Sequence, residues 1–310
     1  MKISTAYLFN RAGEQMSNLQ GSLLKSQNQL ATGKQIVRPS DEPNRVATIA
    51  RLNSLQSRHD NYMSNMELVK ARFGTEEGAV SSAVQVMYRV KELAVQASND
   101  TVSPADRQAI ATELKGLREQ MLSLANTRDN SGNYLFAGSR VGEPPFEPPA
   151  GDPLGSPVYQ GDQTRMEVMI GDQRALPINR PGSEVFGRVL RTDGAGQVQG
   201  VGFFQAFDDL IAGVRNSELS EVQRGNGDVN QMLEGLTLAM ADIGTDQSIL
   251  EQQTASTEDT LTTLKLTLSD VQDLDYAKAI ALMNKQMLSL EAAQSSFAKV
   301  SQLSLFQYLR

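Results

Sequence analysis

Cysteine and tryptophan are absent from this 310-residue chain, and His59 is its one histidine. Without cysteine, the chain can form no disulfide, thiol nucleophile or cysteine-ligated metal site. A Ser-His-Asp triad would depend on His59 alone, and no serine lies in a G-x-S-x-G motif. These absences exclude cysteine-based chemistry and leave His59 as the one imidazole for acid–base catalysis. We therefore predict a protein that is not an enzyme and that uses no cofactor.

Long apolar runs and aromatic side chains are scarce as well. No stretch of 18 or more apolar residues occurs, so the sequence predicts no membrane-spanning helix. Hydrophobic residues make up 40% of the chain and aromatic residues only 5%, a balance typical of long packed helices rather than of compact enzymes. The net charge of −7 argues against nucleic acid and against an anionic membrane surface as partners.

Apolar side chains recur at three- and four-residue steps near both ends of the chain, which is the period of one helical face. In the C-terminal stretch they are Tyr276, Ile280, Met283, Met287, Leu290, Ala293, Phe297 and Val300. In the N-terminal stretch the same period passes through Leu8, Ala12, Gln15, Leu19, Leu23, Ser26 and Leu30. We predict that residues 1–40 and 273–310 pack together as one helical, coiled-coil domain. Spacing alone fits an ordinary core helix at each end equally well.

Local signals predict where helices end and where strands begin. Gly33 should stop the N-terminal helix, and Asp273 should cap the C-terminal one. Ser103, followed by Pro104 and an acid at the third helical position, is a strong helix start. The glycine-rich residues 225–227 predict a loop between two helices. The short apolar run 134–138, bounded by turn residues, predicts a strand.

Proline and glycine concentrate in the middle of the chain. Residues 141–204 hold 8 of the 11 prolines and 11 of the 24 glycines, which excludes long helices there. Alternating apolar residues predict strands at 166–170 and 175–178. The fold class is therefore mainly α: a long-helix bundle or coiled-coil rod formed by both termini, with a lateral β-rich domain at 141–204. Residues 41–140 and 205–272 complete the rod as its second helical domain.

The remaining candidates for chemistry are weak. His59 lies within a helical pattern and is predicted to be a helix-face residue. Two adjacent acidic pairs, Glu76-Glu77 and Asp208-Asp209, diverge in direction on helices, so we predict solvated faces rather than a catalytic or metal site. The glycines of 194–200 have the wrong spacing for a dinucleotide loop.

The apolar stripes of the two terminal helices, here called seams, instead predict assembly. Ordering a helix costs roughly 1–2 kcal/mol per residue, so an amphipathic helix is stable only where its apolar face is covered. Two protruding terminal helices cover each other in part, and further copies or other proteins must supply the rest. The predicted assembly and chaperone interface consists of Leu8, Leu19, Leu23, Leu30, Ile280, Met283, Met287, Leu290, Phe297 and Val300.

Several segments resemble the flagellin superfamily. Residues 30–34 (LATGK) followed by 39–43 (PSDEP) resemble the loop that joins the first two flagellin helices. Residues 90–97 (VKELAVQA) are similar to the RVRELAVQ segment of flagellins, and 304–309 (SLFQYL) resemble their closing LSLL. Each motif alone is modest, but their order and spacing together are specific.

Within that superfamily, three further segments look more like the hook-associated proteins of the hook–filament junction than like flagellin. They are residues 133–138 (NYLFAG), 159–162 (YQGD) and 179–186 (NRPGSEVF). With these segments the resemblance extends over nearly the whole chain.

The resemblance implies a structural subunit of the bacterial flagellum. It would form a homo-oligomeric ring between hook-associated protein 1 on the hook side and flagellin on the filament side, next to the filament cap protein during assembly. An export chaperone would hold the C-terminal region before export through the flagellar secretion channel. The first five residues lack a cleavable signal pattern, which fits that route to an extracellular location.

Two alternatives remain open. A filament-forming flagellin belongs to the same class and would polymerise into long filaments. An extracellular ligand-binding or enzymatic module within 141–204 belongs to another class and would need a pocket with convergent polar groups.

Overall fold

The computed structural model describes residues 2–152, 155–192 and 197–308, with side-chain surroundings defined for residue 7 and for 9–299 within those ranges. Its helices are α1 Lys2–Thr32, α2 Pro43–Ala97, α3 Pro104–Ala125, α4 Gly182–Val185, α5 Phe203–Asn216, α6 Leu219–Gln272 and α7 Tyr276–Tyr308. Its strands are β1 Phe146–Glu147, β2 Val158–Tyr159, β3 Glu167–Gly171, β4 Arg174–Pro177, β5 Val189–Thr192 and β6 Val198–Val201. They form the antiparallel pairs β1–β2, β3–β4 and β5–β6. The predicted fold class, mainly α with a strand-rich insertion, is confirmed.

The chain divides into two compact units. Unit 1 comprises residues 1–60 and 258–310, and unit 2 comprises residues 61–257. Helices α2 and α6 contribute residues to both units. The sequence-based division into three domains stays a prediction, although the strands of unit 2 share an apolar core with its helices.

Unit 2 contains a large core and a small one. The large core joins α2, α3, α5 and α6 to the insertion, and its fully buried side chains include Met87, Leu114, Met121, Phe136, Phe204, Phe207 and Leu210. The small core joins α2 and α6 to the β3–β4 hairpin through Met66, Val69, Phe73, Ile170, Leu176 and Leu250. The alternation predicted for β3 is observed: Ile170 is buried, whereas Glu167 and Met169 are exposed.

Phe146 connects the insertion to the helical part of the large core. Its ring packs within 5.5 Å, between centroids, of the rings of Tyr159, Phe186 and Phe204. Its backbone N–H donates to Asn126 Oδ1 at the end of α3, and Asn126 Nδ2 donates back to the Phe146 carbonyl. The β1–β2 pair is therefore held by the helices rather than by a core of its own.

The helix start at Ser103 is confirmed. Ser103 Oγ accepts a hydrogen bond from Asp106 N at 3.2 Å and donates to the Asp106 carboxylate at 2.7 Å. The cap at the last helix was predicted at the wrong residue. Asp275, not Asp273, accepts the hydrogen bond from Lys278 N, whereas Asp273 accepts one from the Ser269 hydroxyl. Asp275 directly precedes the first helical residue, so its carboxylate alone has the capping position.

The predicted loop at 225–227 was wrong, because these residues lie inside α6. The reason is close helix packing. A Cβ on Gly225 would stand 2.7 Å from Leu210 Cδ1, so glycine lets α5 approach α6. Asn226 Nδ2 donates to Ser98 Oγ at the end of α2. Glycine and asparagine commonly end helices, but here Gly225 and Asn226 lie within α6 and make tertiary contacts.

The predicted strand at 134–138 was also wrong. These residues form a buried irregular segment with a single bridge between Tyr134 and Arg128. The segment turns at Gly138, whose φ of +71° is a glycine conformation. Its Phe136 carbonyl accepts from Gly182 N at 2.7 Å, so the run lies in the core without a strand partner.

Gly33 ends α1 with a φ of +68°, as the sequence predicts. A Cβ there would stand 2.8 Å from the Tyr276 hydroxyl. We expect Gly33→Ala to destabilise the end of α1 by about 1–2 kcal/mol, the strain of a left-handed alanine. Amide hydrogen exchange of α1 in the assembled protein measures the effect.

Gly21→Ala is the matched control for that substitution. Gly21 lies inside α1, and a Cβ there would meet no atom within 4 Å. Alanine should stabilise this helical position by about 0.5–1 kcal/mol. Slower exchange of α1 amides in both variants would contradict a left-handed stop at residue 33.

Candidate assembly interface

Helices α1 and α7 form an antiparallel pair in unit 1. Near one end, Gly33 lies beside the Tyr276 hydroxyl. In the middle, Ser26 Oγ donates to Gln286 Oε1 at 2.8 Å. Toward the other end, the rings of Phe9 and Phe297 meet edge to face with centroids 5.3 Å apart. Both helices are about 50 Å long, so the pair presents a long, narrow surface.

The observed seam of α7 agrees only in part with the predicted stripe. Its more buried residues recur as Ala279, Met283, Gln286, Leu290, Ala293 and Phe297. Met283, Leu290 and Phe297 thus lie where the sequence predicts them. Ile280 and Met287 do not, because they remain 46% and 49% exposed beside the seam. A helix has 3.6 residues per turn, so a stripe wider than one partner leaves its outer edge in solvent.

The seam of α1 agrees over its second half and shifts in its first half. The half-buried or buried residues of α1 include a regular heptad series: Phe9, Ala12, Met16, Leu19, Leu23, Ser26 and Leu30. Gln15, predicted for this seam, is exposed, and Met16 takes its place. Phe9 and Met16 could have been found by the same periodicity, extended without a break. Leu8 and Val300 lie in the helical backbone, outside the residues whose side chains are described.

A hydrogen-bonded base closes the pair. Gln35 N donates to the Gln272 carbonyl, and Leu274 N donates to the Gly33 carbonyl, so the two connecting segments form a short bridge. The Arg45 guanidinium donates to Gln35 Oε1 and to the Val271 carbonyl. No periodicity or motif in the sequence marks Arg45 for this role.

Unit 1 has very little buried apolar surface of its own. Among the residues with defined side chains, its buried apolar members are Leu52, Leu261 and Ala279. Most side chains in the α1–α7 seam are only half-buried, and Ser26, at 3% exposure, is polar. The seam also opens into a groove lined by Phe9, Ala12, Met16, Ala293 and Phe297. This arrangement is typical of a surface to which a further protein binds.

One side of α7 carries an uncovered apolar strip, defined by Tyr276, Ile280 and Met287. Steps of four and seven residues place these side chains on one line beside the seam. All three are about half exposed in the isolated chain. Large exposed apolar side chains in a row are typical of a protein–protein contact.

The other residues that the sequence offered as candidates do not form a metal-binding group within the described part of the chain. His59 lies in α2 as a half-buried helix residue. Among the described residues, no group of three or more His, Cys, Asp or Glu side chains could hold a metal ion. Within the same ranges, no helix is long and apolar enough to cross a membrane.

The acidic pairs were predicted as solvated, and this was wrong for Glu76, whereas Glu77, Asp208 and Asp209 are half-buried. Glu76 is 2% exposed and accepts from Arg180. Asp208 accepts from Arg118 and Ser156, and Asp209 accepts from Arg191. The arginines come from distant elements, so only the folded chain shows these pairs.

Two family models match the ends of the chain. Residues 3–140 match the bacterial flagellin N-terminal helical region, and residues 227–309 match the bacterial flagellin C-terminal helical region. The first model includes α1 and the second includes α7, so together they cover the α1–α7 pair and its base. The chain belongs to the flagellin superfamily.

Similarity to individual flagellar proteins extends beyond these regions. The chain is 27% identical to flagellar hook-associated protein 3 of Escherichia coli over 320 residues, covering 99% of both chains. It is 25% identical to flagellar hook-associated protein 3 of Salmonella typhimurium, covering 100% of both. The fold matches the crystal structure of Xanthomonas campestris FlgL with a TM-score of 0.62 at 24% identity, over 71% of this chain and 99% of that one. The resemblance seen in the sequence is thereby confirmed, and the chain is similar to structural flagellar proteins along its length.

The scarcity of buried side chains in unit 1 leads to a prediction for the free monomer. We expect limited proteolysis to trim both ends and leave a resistant body near residues 45–270. Backbone ordering at the ends has little covered apolar surface to offset its entropy. Mass spectrometry of the fragments checks this, and a monomer protected from residue 5 to residue 305 would contradict it.

Proposed function

We propose that this chain is the subunit of the junction between hook and filament in the bacterial flagellum, where it forms a ring of identical copies. The observation that carries the proposal is the α1–α7 pair. It is long and amphipathic, and its own unit leaves its seam only half covered. Similarity to hook-associated protein 3 over the full length supports the junction role in particular.

The proposed neighbours follow from that position. Hook-associated protein 1 lies on the hook side, flagellin on the filament side, and the filament cap protein is adjacent during assembly. Before export through the flagellar secretion channel, a chaperone covers the apolar face of α7. The uncovered strip and the half-covered seam offer such a chaperone an amphipathic helix, with anchors at three-, four- and seven-residue steps.

Complementation of a deletion strain tests the junction role. Electron microscopy of cells that lack this gene should show hooks without filaments, and the wild-type gene should restore them. Filaments that stay attached to hooks in the deletion strain would overturn the proposal. The Leu288→Ala gene is the matched control, because Leu288 is a 69% exposed α7 residue on the side away from the seam.

The flagellin alternative predicts a different result. Purified flagellin subunits polymerise into long filaments, whereas a junction subunit should stop at short assemblies. Sedimentation and negative-stain microscopy of the purified chain separate the two. Long filaments from this chain alone would favour the filament role.

The ligand-binding alternative concerns a cleft in the insertion. Phe146, Tyr159, Phe186 and Arg188 are among its lining residues. Burial raises the pKa of Tyr159 to about 12, so its hydroxyl stays neutral at physiological pH, and it donates to the Asp162 carbonyl at 2.6 Å. The phenol thus has a structural partner within the insertion. This alternative stays a hypothesis, and normal filament attachment in the deletion strain would revive it.

A further inference from the structure

A layer of charged side chains separates the two apolar cores of unit 2. On α2, the small core ends at Phe73 and the large core begins at Ala79. On α6, the large core ends at Ile243 and the small core begins at Leu250. Glu76 and Asp246 occupy the intervals, one on each helix. The apolar packing along both long helices is therefore interrupted at the same level.

Arg180 joins the two carboxylates of this layer. It follows β4 in the chain, and its guanidinium donates to Glu76 Oε1 at 3.2 Å and to Asp246 Oδ2. The guanidinium carbon lies 5.8 Å from the centre of the Phe73 ring. Arg180 is thus the charged group by which the β3–β4 side of the insertion holds both helices at once.

The neighbouring charged side chains have direct partners other than Glu76 and Asp246. Arg72 of α2 pairs with Asp129 at 3.0 Å and donates to the Leu135 carbonyl. Glu77 accepts from Gln247 across the same two helices. Arg180 is therefore the cation in direct contact with both Glu76 and Asp246.

Burial of this layer removes charged groups from water, which costs desolvation free energy. Burial raises the pKa of Glu76 above its ordinary value, although the guanidinium groups of Arg180 and Arg72 oppose the rise. A buried ion pair contributes little net stability, whereas removing one partner leaves the other charge buried and unpaired. Such a layer is better suited to fixing one arrangement of elements than to strengthening it.

We propose that Arg180 is a charge latch that holds the β3–β4 hairpin and the small core on α2 and α6, and that this part opens as one cooperative unit while the large core stays closed. The small core has six buried apolar side chains, with partly buried ones packed around them. Among the residues that the structure describes, it forms a cluster separate from the large core beyond the charged layer. Partial opening of such contiguous units is a general property of folded proteins.

Amide hydrogen exchange of the full chain, followed by mass spectrometry, tests the latch. Arg180→Met keeps the apolar stem and removes the charge, so Glu76 and Asp246 become unpaired. Exchange of peptides from 61–75, 166–178 and 247–257 should accelerate by roughly a hundredfold or more, as expected for a broken buried ion pair. Peptides from the large core, such as 79–97, should keep their wild-type rates.

Arg165→Met is the matched control. Arg165 lies in the same insertion, and its pair with Glu184 is exposed on both sides. Exposed pairs contribute little, so exchange should stay near the wild-type rate in every segment. Acceleration in this control equal to that of Arg180→Met would overturn the latch.

A rescue separates charge from packing. In the Arg180→Met background, Glu76→Gln with Asp246→Asn removes both stranded charges, and exchange of the small-core segments should return toward the wild-type rate. Failure of this rescue would overturn the latch, because Arg180→Met keeps the apolar stem and the two unpaired carboxylates would then not be the cause of the faster exchange. Equal acceleration of both cores, or no acceleration in Arg180→Met, would likewise contradict independent opening.

Discussion

Replacing Leu290 and Phe297 together by alanine should abolish assembly and chaperone binding while unit 2 keeps its melting temperature. Leu290 lies in the centre of the α7 seam, and the Phe297 ring packs edge to face on Phe9. Truncation of a packed anchor costs ~2–5 kcal/mol, and half-covered anchors belong at the lower end of that range. Two such losses weaken either complex by at least about a hundredfold.

Three measurements check this double substitution. Isothermal titration with the export chaperone reports the first partner, and motility with electron microscopy reports assembly. Calorimetry of the purified chain reports the stability of unit 2, which does not contain these residues. Leu288→Ala makes the same truncation as Leu290→Ala on the opposite side of α7 and should change none of the three.

Two results would contradict the shared interface. Wild-type chaperone binding and motility in the double variant would mean that neither partner uses the seam. A clear drop in the melting temperature of unit 2 would instead place Leu290 and Phe297 in an intramolecular core.

Phe146→Ala should lower the melting temperature of unit 2 by destabilising its large core. Its ring contacts three aromatic rings from the insertion and from α5, and its backbone is held by the end of α3. Removing a buried phenylalanine costs about 3–5 kcal/mol. For a unit of this size the melting temperature should fall by roughly 6–20 °C, as scanning calorimetry would show.

Val158→Ala is the control for Phe146→Ala, because Val158 lies in the partner strand β2 and is 42% exposed. Its effect should stay within about 0.5 kcal/mol. The experiment also tests the predicted domain division. A separate calorimetric transition that alone responds to Phe146→Ala would show that residues 141–204 fold as a domain of their own.

The sequence alone was sufficient for the features that depend on neighbours along the chain. Helical periodicity located α1 and α7, because side chains three and four positions apart share a face whatever lies opposite. Ser103 and Gly33 marked helix ends, because capping and left-handed turns depend on the residue itself. The glycine and proline density of 141–204 likewise excluded long helices before any contact was known.

Tertiary structure decided the features that depend on partners distant in the chain. Gly225 lies inside a helix because α5 packs against it, and residues 134–138 are irregular because the core, rather than a strand, covers them. The width of the α7 seam depends on the diameter of α1, so Ile280 and Met287 remain outside it. Glu76 can be buried because Arg180, more than a hundred residues away in the chain, donates a hydrogen bond to its carboxylate. Periodicity records which side chains share a face, and only the folded chain determines what covers that face.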